Sequence, residues 1–188
     1  MFCIIVVKPV DERNMDNYDH LKTKIRDIPD FPTPGVIFKD ITPLLEDRDA
    51  FREAIDGLAS FFMDQKIGKV VGIDARGFLL AAPVAYLLGA GLVLVRKKGK
   101  LPAEIIREYH ELEYGRSSLE IHKDAIKKGE RVAIIDDVLA TGGTAGAAVR
   151  LVEAMDAPIV GIGFLVELRE FGGREKLQHY LIHSLIQF

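Results

Sequence analysis

Short apolar runs rich in β-branched residues recur along the chain at 70–73, 92–95, 132–135 and 159–166. Each is bounded by polar or glycine-containing segments, as expected of strands buried on both faces. Between them the apolar positions change to helical spacing. Leu45, Phe51, Ile55, Leu58, Phe61 and Phe62 mark one face of a helix over residues 44–66. Residues 78–88 are apolar almost all round, which predicts a buried helix. Small residues dominate the start of 145–155, so the helix expected there can pack closely on a sheet. Strands alternating with helices predict an α/β fold with a parallel sheet and flanking helices.

The remaining stretches are less regular. Tyr18, Leu21 and Ile25 have the spacing of a short amphipathic helix over 16–26. Pro29, Pro32 and Pro34 then forbid regular helix, so 28–35 is extended and turn-rich, followed by a partly buried arm over 36–43. Residues 101–122 are polar, with Tyr109, Leu112, Tyr114, Leu119 and Ile121 in alternating places around Gly115. They read as a β-hairpin or a long loop able to fold over a site. Beyond 168 the pattern predicts a short helix at 173–178 and a final edge strand at 180–186.

A length of 188 residues suits one domain with a sizeable core. At 48% hydrophobic and 28% charged residues the composition is that of an ordinary globular chain, and a net charge of −3 argues against generic nucleic-acid binding. Cys3 is the single cysteine, so no intrachain disulfide is possible, which fits a reducing cytoplasmic setting. No apolar run has the length of a membrane span. The histidines show no metal-ligand spacing. Residues 1–14 read as an extension, an extra strand or loose arm that lacks a basic leader; Met15 offers an alternative start.

The chemistry concentrates where the run 132–135 meets Asp136-Asp137-Val138-Leu139 and then Ala140-Thr141-Gly142-Gly143-Thr144. In open α/β sheets, ligands bind where a parallel strand ends and the next helix begins. Backbone N–H groups of Thr141 to Thr144 would point out of such a turn with the helix dipole behind them, an arrangement that suits a phosphate. Gly142 and Gly143 let the backbone approach the anion closely. Asp136 and Asp137, acceptors when ionised, suit a vicinal diol or a cation. A phosphate cradle beside two diol acceptors describes a ribose 5-phosphate site. No Lys-Ser/Thr pair follows the glycines, so the turn is not a Walker A loop. Taken alone, Arg96, Lys97 and Lys100 form a solvated basic turn and Glu113 is an exposed glutamate, while Arg76 stands at a strand's carboxyl end, where function is expected.

The stretch around Asp136 to Thr144 resembles the phosphoribosyl pyrophosphate motif of the type I phosphoribosyltransferases. Four further segments, in family order, resemble the adenine-specific branch: Pro29-Asp-Phe-Pro-Thr-Pro-Gly-Val-Ile-Phe-Lys39-Asp-Ile-Thr, Asp74-Ala-Arg76-Gly-Phe, Arg96-Lys-Lys-Gly-Lys100-Leu-Pro and Leu112-Glu113-Tyr114-Gly115. The resemblance implies a parallel-sheet fold of that type, with a small hood at 28–43 and a flexible lid at 101–122, in a single domain over 15–188. It implies transfer of a phosphoribosyl group to adenine, giving AMP and pyrophosphate with magnesium, in purine salvage. The ion would be carried mainly by the substrate's pyrophosphate.

Site roles follow from the same resemblance. Ala140, Thr141, Gly142, Gly143 and Thr144 would hold the 5-phosphate, and Asp136 and Asp137 the ribose hydroxyls. Asp74, Ala75 and Arg76 would form the pyrophosphate loop, with a cis peptide at Asp74–Ala75 and Arg76 on the leaving group. Arg96, Lys97 and Lys100 would bind pyrophosphate, some of them across a homodimer interface. The backbone at Ile37 would read the purine edge, with Val138 and Leu168 as apolar walls. Lys39 stands where many relatives have arginine, which keeps the charge and loses planar bidentate geometry. Glu113 would relay a proton at the imidazole edge of adenine, and Tyr114 would close over the sugar. Two other readings stay open at this point. A phosphoribosyltransferase for another base is disfavoured by Asp-Asp in place of Glu-Asp and by the Phe-Pro-Thr-Pro-Gly arm. A non-catalytic regulator would need an output module, for which the residues before Met15 are too few.

Overall fold

The structure is a computed structural model and describes residues 12–112 and 115–188. Glu113, Tyr114 and most of the 1–14 extension therefore lie outside the described residues. The chain enters through a 3-10 helix, Glu12–Lys24, where α-helix is predicted. Its apolar face is nevertheless used, since Leu21 and the following Ile25 are buried. The proline-rich segment is a turn joining β1 (Arg26–Pro29) to β2 (Ile37–Asp40) in an antiparallel hairpin, with Phe31–Pro32 in the cis form.

Residues 44–66 do not form one helix. They divide into α1 (Thr42–Glu46) and α2 (Arg48–Phe62), because the Asp47 carboxylate accepts hydrogen bonds from the N–H groups of Asp49 and Ala50 and starts a new helix. The predicted α/β alternation then follows: β3 (Lys69–Ile73), α3 (Gly77–Leu88), β4 (Gly91–Lys97), the hairpin β5 (Ile105–Leu112) and β6 (Gly115–His122), β7 (Val132–Leu139), α4 (Gly143–Glu153) and β8 (Ile159–Glu167). Two 3-10 turns, Arg169–Phe171 and Gly173–Leu177, replace the predicted short helix and lead to β9 (Ile182–Gln187), an edge strand as expected.

Seven strands form one sheet in the order β5-β6-β4-β3-β7-β8-β9. The pairs among β4, β3, β7, β8 and β9 are parallel, and β6 joins β4 antiparallel only through Arg96↔Glu120 and Lys97↔Leu119. Period-two alternation sorts the strand residues between two cores. Val70, Ala133 and Ile135 face α1, α2 and α3, whereas Val71, Val132 and Ile134 face α4. The predicted apolar helix α3 is not buried all round: Leu80, Ala81, Val84 and Ala85 pack on the sheet, while Leu79 and Leu87 are 51% and 46% exposed. An apolar surface tells a sequence reader that a face wants cover; it does not say that this chain supplies it. The β5–β6 hairpin is tied to α4, since Arg150 Nε donates to Glu108 at 3.0 Å and Arg150 Nη2 to the Tyr109 carbonyl at 3.1 Å.

Candidate active site

β3 and β7 are parallel neighbours at the middle of the sheet, so their carboxyl ends open on the same edge. Asp74-Ala75-Arg76 follows β3, and Asp136 and Asp137 lie towards the carboxyl end of β7, before the glycine-rich turn. The Asp74–Ala75 peptide is cis, as the motif leads one to expect. A cleft of about 520 Å³ forms here. Asp74, Ala75, Arg76, Asp136, Asp137 and Val138 line it, together with Ala140 and Thr144 from the two ends of the glycine-rich turn. The β1–β2 hairpin contributes Ile37 and Lys39 together with their neighbours, and Leu168 closes another side.

The two carboxylates are each 7% exposed. Burial first, and the facing charge of Asp137 second, push the Asp136 carboxyl well above the ordinary carboxylate range. Burial raises Asp137 as well, against the pull of Arg76, whose Nε lies 2.6 Å from Asp137 Oδ2. This contact is an ion pair without hydrogen-bond alignment, so Oδ2 keeps an unused acceptor direction. With its own cation beside it, Asp137 gives up the first proton of the pair. Asp136 Oδ1 is occupied by the Asp137 N–H at 2.9 Å. The Arg76 guanidinium also stands 4.9 Å from the centre of the Phe38 ring, linking the hairpin to the floor.

The glycine-rich turn has Gly142 at φ +75° as the residue that caps α4, and the helix begins at Gly143, two residues earlier than the pattern predicts. Among the described residues, the N–H groups of Thr141 and Gly142 find no protein acceptor. Thr141, Gly142 and Gly143 do not line the main cleft. Gly142 and Gly143 instead line an adjoining hollow of about 380 Å³ with His110, Arg150 and Lys176. The turn thus presents its two ends to the cleft and its middle to the hollow.

The basic cluster is split. Lys97 lines the cleft. Arg96 does not; its Nε reaches Asp74 Oδ2 at 3.2 Å and its Nη1 the Lys100 carbonyl at 3.4 Å, so it braces the loop after β3. Lys100 is exposed and away from the cleft. Lys39 borders the cleft, but its ammonium pairs with Asp27 at 2.7 Å and lies 4.2 Å from the Phe188 ring centre. Its charge is spent holding the hairpin rather than offered to a ligand.

Sequence reasoning missed Val36, Phe38, His110, Ser117, Leu119 and Phe171, all of which line the cleft. Phe171 was within reach, since a three-residue step from Leu168 in a 3-10 turn returns to the same side. His110 had no sequence signal. It is 8% exposed, its Nδ1 has no partner, and burial, followed by the Arg150 charge, lowers its pKa, so it is neutral at neutral pH. Among the described residues no three His, Cys, Asp or Glu side chains gather as a metal site, and no helix is long and apolar enough to cross a membrane.

Comparison with known proteins fits this geometry. The phosphoribosyl transferase domain family matches residues 44–182. An adenine phosphoribosyltransferase of Anaeromyxobacter sp. (strain Fw109-5) is 55% identical over 168 residues, 89% of this chain and 95% of the relative. The crystal structure of adenine phosphoribosyltransferase from Thermoanaerobacter pseudethanolicus superposes with a TM-score of 0.87 at 51% identity, covering 93% of this chain and 99% of that one. The Saccharomyces cerevisiae enzyme, solved with an imino-altritol bisphosphate and adenine, gives a TM-score of 0.83 at 40% identity, covering 88% of this chain and 96% of the other. With a parallel sheet whose central strands end in the Asp74–Arg76 loop and the glycine-rich turn, and with relatives matched over nearly their whole length, the chain belongs to the adenine phosphoribosyltransferases of the phosphoribosyl transferase family.

Proposed function

We propose that this cleft binds adenine and phosphoribosyl pyrophosphate side by side and joins them into AMP, releasing pyrophosphate. The observation that carries the reading is convergence. One cavity gathers the β1–β2 hairpin, the Asp74–Arg76 loop, two buried carboxylates and both ends of the glycine-rich turn. In the reaction a base nitrogen bonds to the anomeric carbon, and the bond from that carbon to the pyrophosphate oxygen breaks, its electron pair leaving with pyrophosphate. The imidazole proton of the base leaves through Glu113, and Tyr114 closes over the sugar; both roles rest on the family motif alone.

Each group has a physical task. Ala140 to Thr144 hold the 5-phosphate, and the unpaired N–H groups of Thr141 and Gly142 support that assignment. Asp136 and Asp137 accept from the ribose hydroxyls, and their field favours a cationic sugar. Asp74, Ala75, Arg76 and Lys97 face the pyrophosphate, with Arg76 neutralising charge on the leaving group. Arg96 acts through Asp74, and Lys100 through its carbonyl to Arg96. The Ile37 backbone reads the purine edge between Val138 and Leu168. Magnesium would enter on the substrate, where Asp136 and Asp137 would be the carboxylates available to it and the ion would neutralise charge on the pyrophosphate.

The reading extends to a cytoplasmic homodimer of one domain each over 15–188, with the hairpin as hood and residues 101–122 as lid. Leu79 and Leu87 on α3, with Leu92 and Leu94 on β4 at 42% and 39% exposure, support an interface beside the Arg96–Lys97 loop. The test is to incubate purified protein with phosphoribosyl pyrophosphate, magnesium and each of adenine, hypoxanthine, guanine and orotate. AMP from adenine alone is the expected result. Donor binding without product from any base would overturn the catalytic reading in favour of a regulator.

A further inference from the structure

The segment that follows β8 touches both halves of the cleft. Leu168 lines it, and Leu168 N donates to the Leu139 carbonyl at 2.8 Å, just before the glycine-rich turn. A few residues on, the chain meets the turn itself. A Cβ built on Gly173 would fall 2.1 Å from the Ala140 carbonyl oxygen and 2.9 Å from Gly142 N; one built on Gly142 would fall 2.7 Å from the Gly173 carbonyl oxygen. The two backbones are in direct contact, and no side chain fits between them.

A clamp anchored on one buried carboxylate holds this segment. Arg174 donates from Nη2 to Glu167 Oε2 at 2.6 Å and from Nε to Oε1 at 2.9 Å, a two-pronged pairing. Ser184 Oγ donates to Glu167 Oε2 at 2.7 Å, and Arg174 Nη1 reaches the Ile182 carbonyl at 3.3 Å. Glu167 is 3% exposed. Burial opposes its charged form, but the Arg174 and Ser184 hydrogen bonds and the Arg174 charge outweigh that and lower its pKa. Neither Glu167 nor Arg174 lines the cleft. The clamp fastens the ends of β8 and β9 together, and the loop it closes presses Gly173 onto the turn.

We infer that Glu167 and Arg174 are positioning residues for the phosphate turn, acting through Gly173, which fixes the spacing of the Thr141 and Gly142 N–H groups. This rests on the reading of that turn as a 5-phosphate cradle. Hydrogen bonds to an anion need donors held in place, because they weaken steeply with distance and angle. The clamp therefore controls affinity for the phosphate without touching it.

The discriminating quantity is the ratio of the dissociation constant for adenosine to that for AMP, which isolates what the phosphate contributes. It is measured by calorimetry on the full chain and on three variants: Gly173→Ala, the double variant Glu167→Gln with Arg174→Gln, and Arg174→Lys. The double variant removes the clamp without leaving an unpaired buried charge. Arg174→Lys keeps a charge on Glu167 and loses the two-pronged geometry, so it remains a folded probe if the others do not. Thermal unfolding is recorded for each. The wild-type protein is expected to favour AMP strongly. Gly173→Ala and the double variant should reduce the ratio at least tenfold, Arg174→Lys less, with adenosine affinity within about twofold of wild type. A merely structural role would lower the unfolding temperature and leave the ratio unchanged. An unchanged ratio in any folded variant of the clamp or Gly173 overturns the inference. A wild-type protein with no preference for AMP would overturn the cradle assignment instead.

Discussion

Asp136 should make the protein less stable at neutral pH than an uncharged residue would. The side chain is 7% exposed, faces Asp137, and leaves the nearby Arg76 to its neighbour. Burial and the Asp137 charge raise its pKa, so the folded state holds the proton more tightly than the unfolded state does. The contribution to stability is then fully present below the unfolded carboxyl value of about 4 and is lost as pH rises towards the folded value. Asp136→Asn removes that dependence. Asn can keep the hydrogen bond from the Asp137 N–H, made at 2.9 Å in the native protein. Removing the cost of ionising a buried carboxyl that lacks its own counterion gains on the order of 1–3 kcal/mol at pH 7.5. In a domain of this size that raises Tm by about 2–4 °C for each kcal/mol. The same change should weaken the sugar donor about tenfold, because it removes one of the two carboxyl acceptors proposed for the ribose hydroxyls. Unfolding followed by circular dichroism from pH 4.5 to 8.5, with calorimetric donor titration at pH 7.5, measures both. The variant's advantage should widen with pH. A variant less stable at pH 7.5, by an amount constant across pH, would refute the reasoning.

Three further outcomes are expected. Asp47→Ala should remove the cap of α2 and lower stability by about 1 kcal/mol while leaving kcat within twofold, as denaturant unfolding and steady-state assays would show. His183 is held down to about 4 by burial and then by the Arg174 charge, and it stacks on Phe61 at 4.6 Å, so its contribution to stability is lost as pH falls from about 6.5 towards 4. His183→Phe should keep the stack and resist acid unfolding better than wild type; identical acid midpoints would contradict this. Glu113→Gln should lower turnover far more than it weakens adenine binding, and single-turnover kinetics would separate a proton-relay role from a recognition role.

The position of the cleft was readable because the segment that builds its centre is local in the chain. A buried strand, two carboxylates, glycines and a helix in direct succession leave little choice of arrangement, and the cleft forms where the pattern puts it. The break at Asp47 was also written locally, in a residue whose side chain competes for backbone N–H groups. The pattern passed over it because the apolar face continues from Leu45 to Phe51 across the break. By contrast, the fate of Lys39 depends on Asp27 and Phe188, partners 12 and 149 positions away, counted along the sequence. Spacing could mark its charge and could not say where that charge is used.

The sequence by itself determined the α/β class, the alternation of strands and helices along the sheet, and the strand-to-helix turn at which the cleft opens. Those depend on periodicity and on short motifs, which act over a few residues. The tertiary structure decided which surfaces meet. Only in the fold does Phe171 join Ile37 and Leu168 around one cleft, His110 Nδ1 lie buried without a hydrogen-bond partner, and Gly173 rest against the Ala140–Gly142 backbone. Such contacts join distant segments through packing. Their energy depends on shape complementarity between whole elements, which no local pattern of residues encodes.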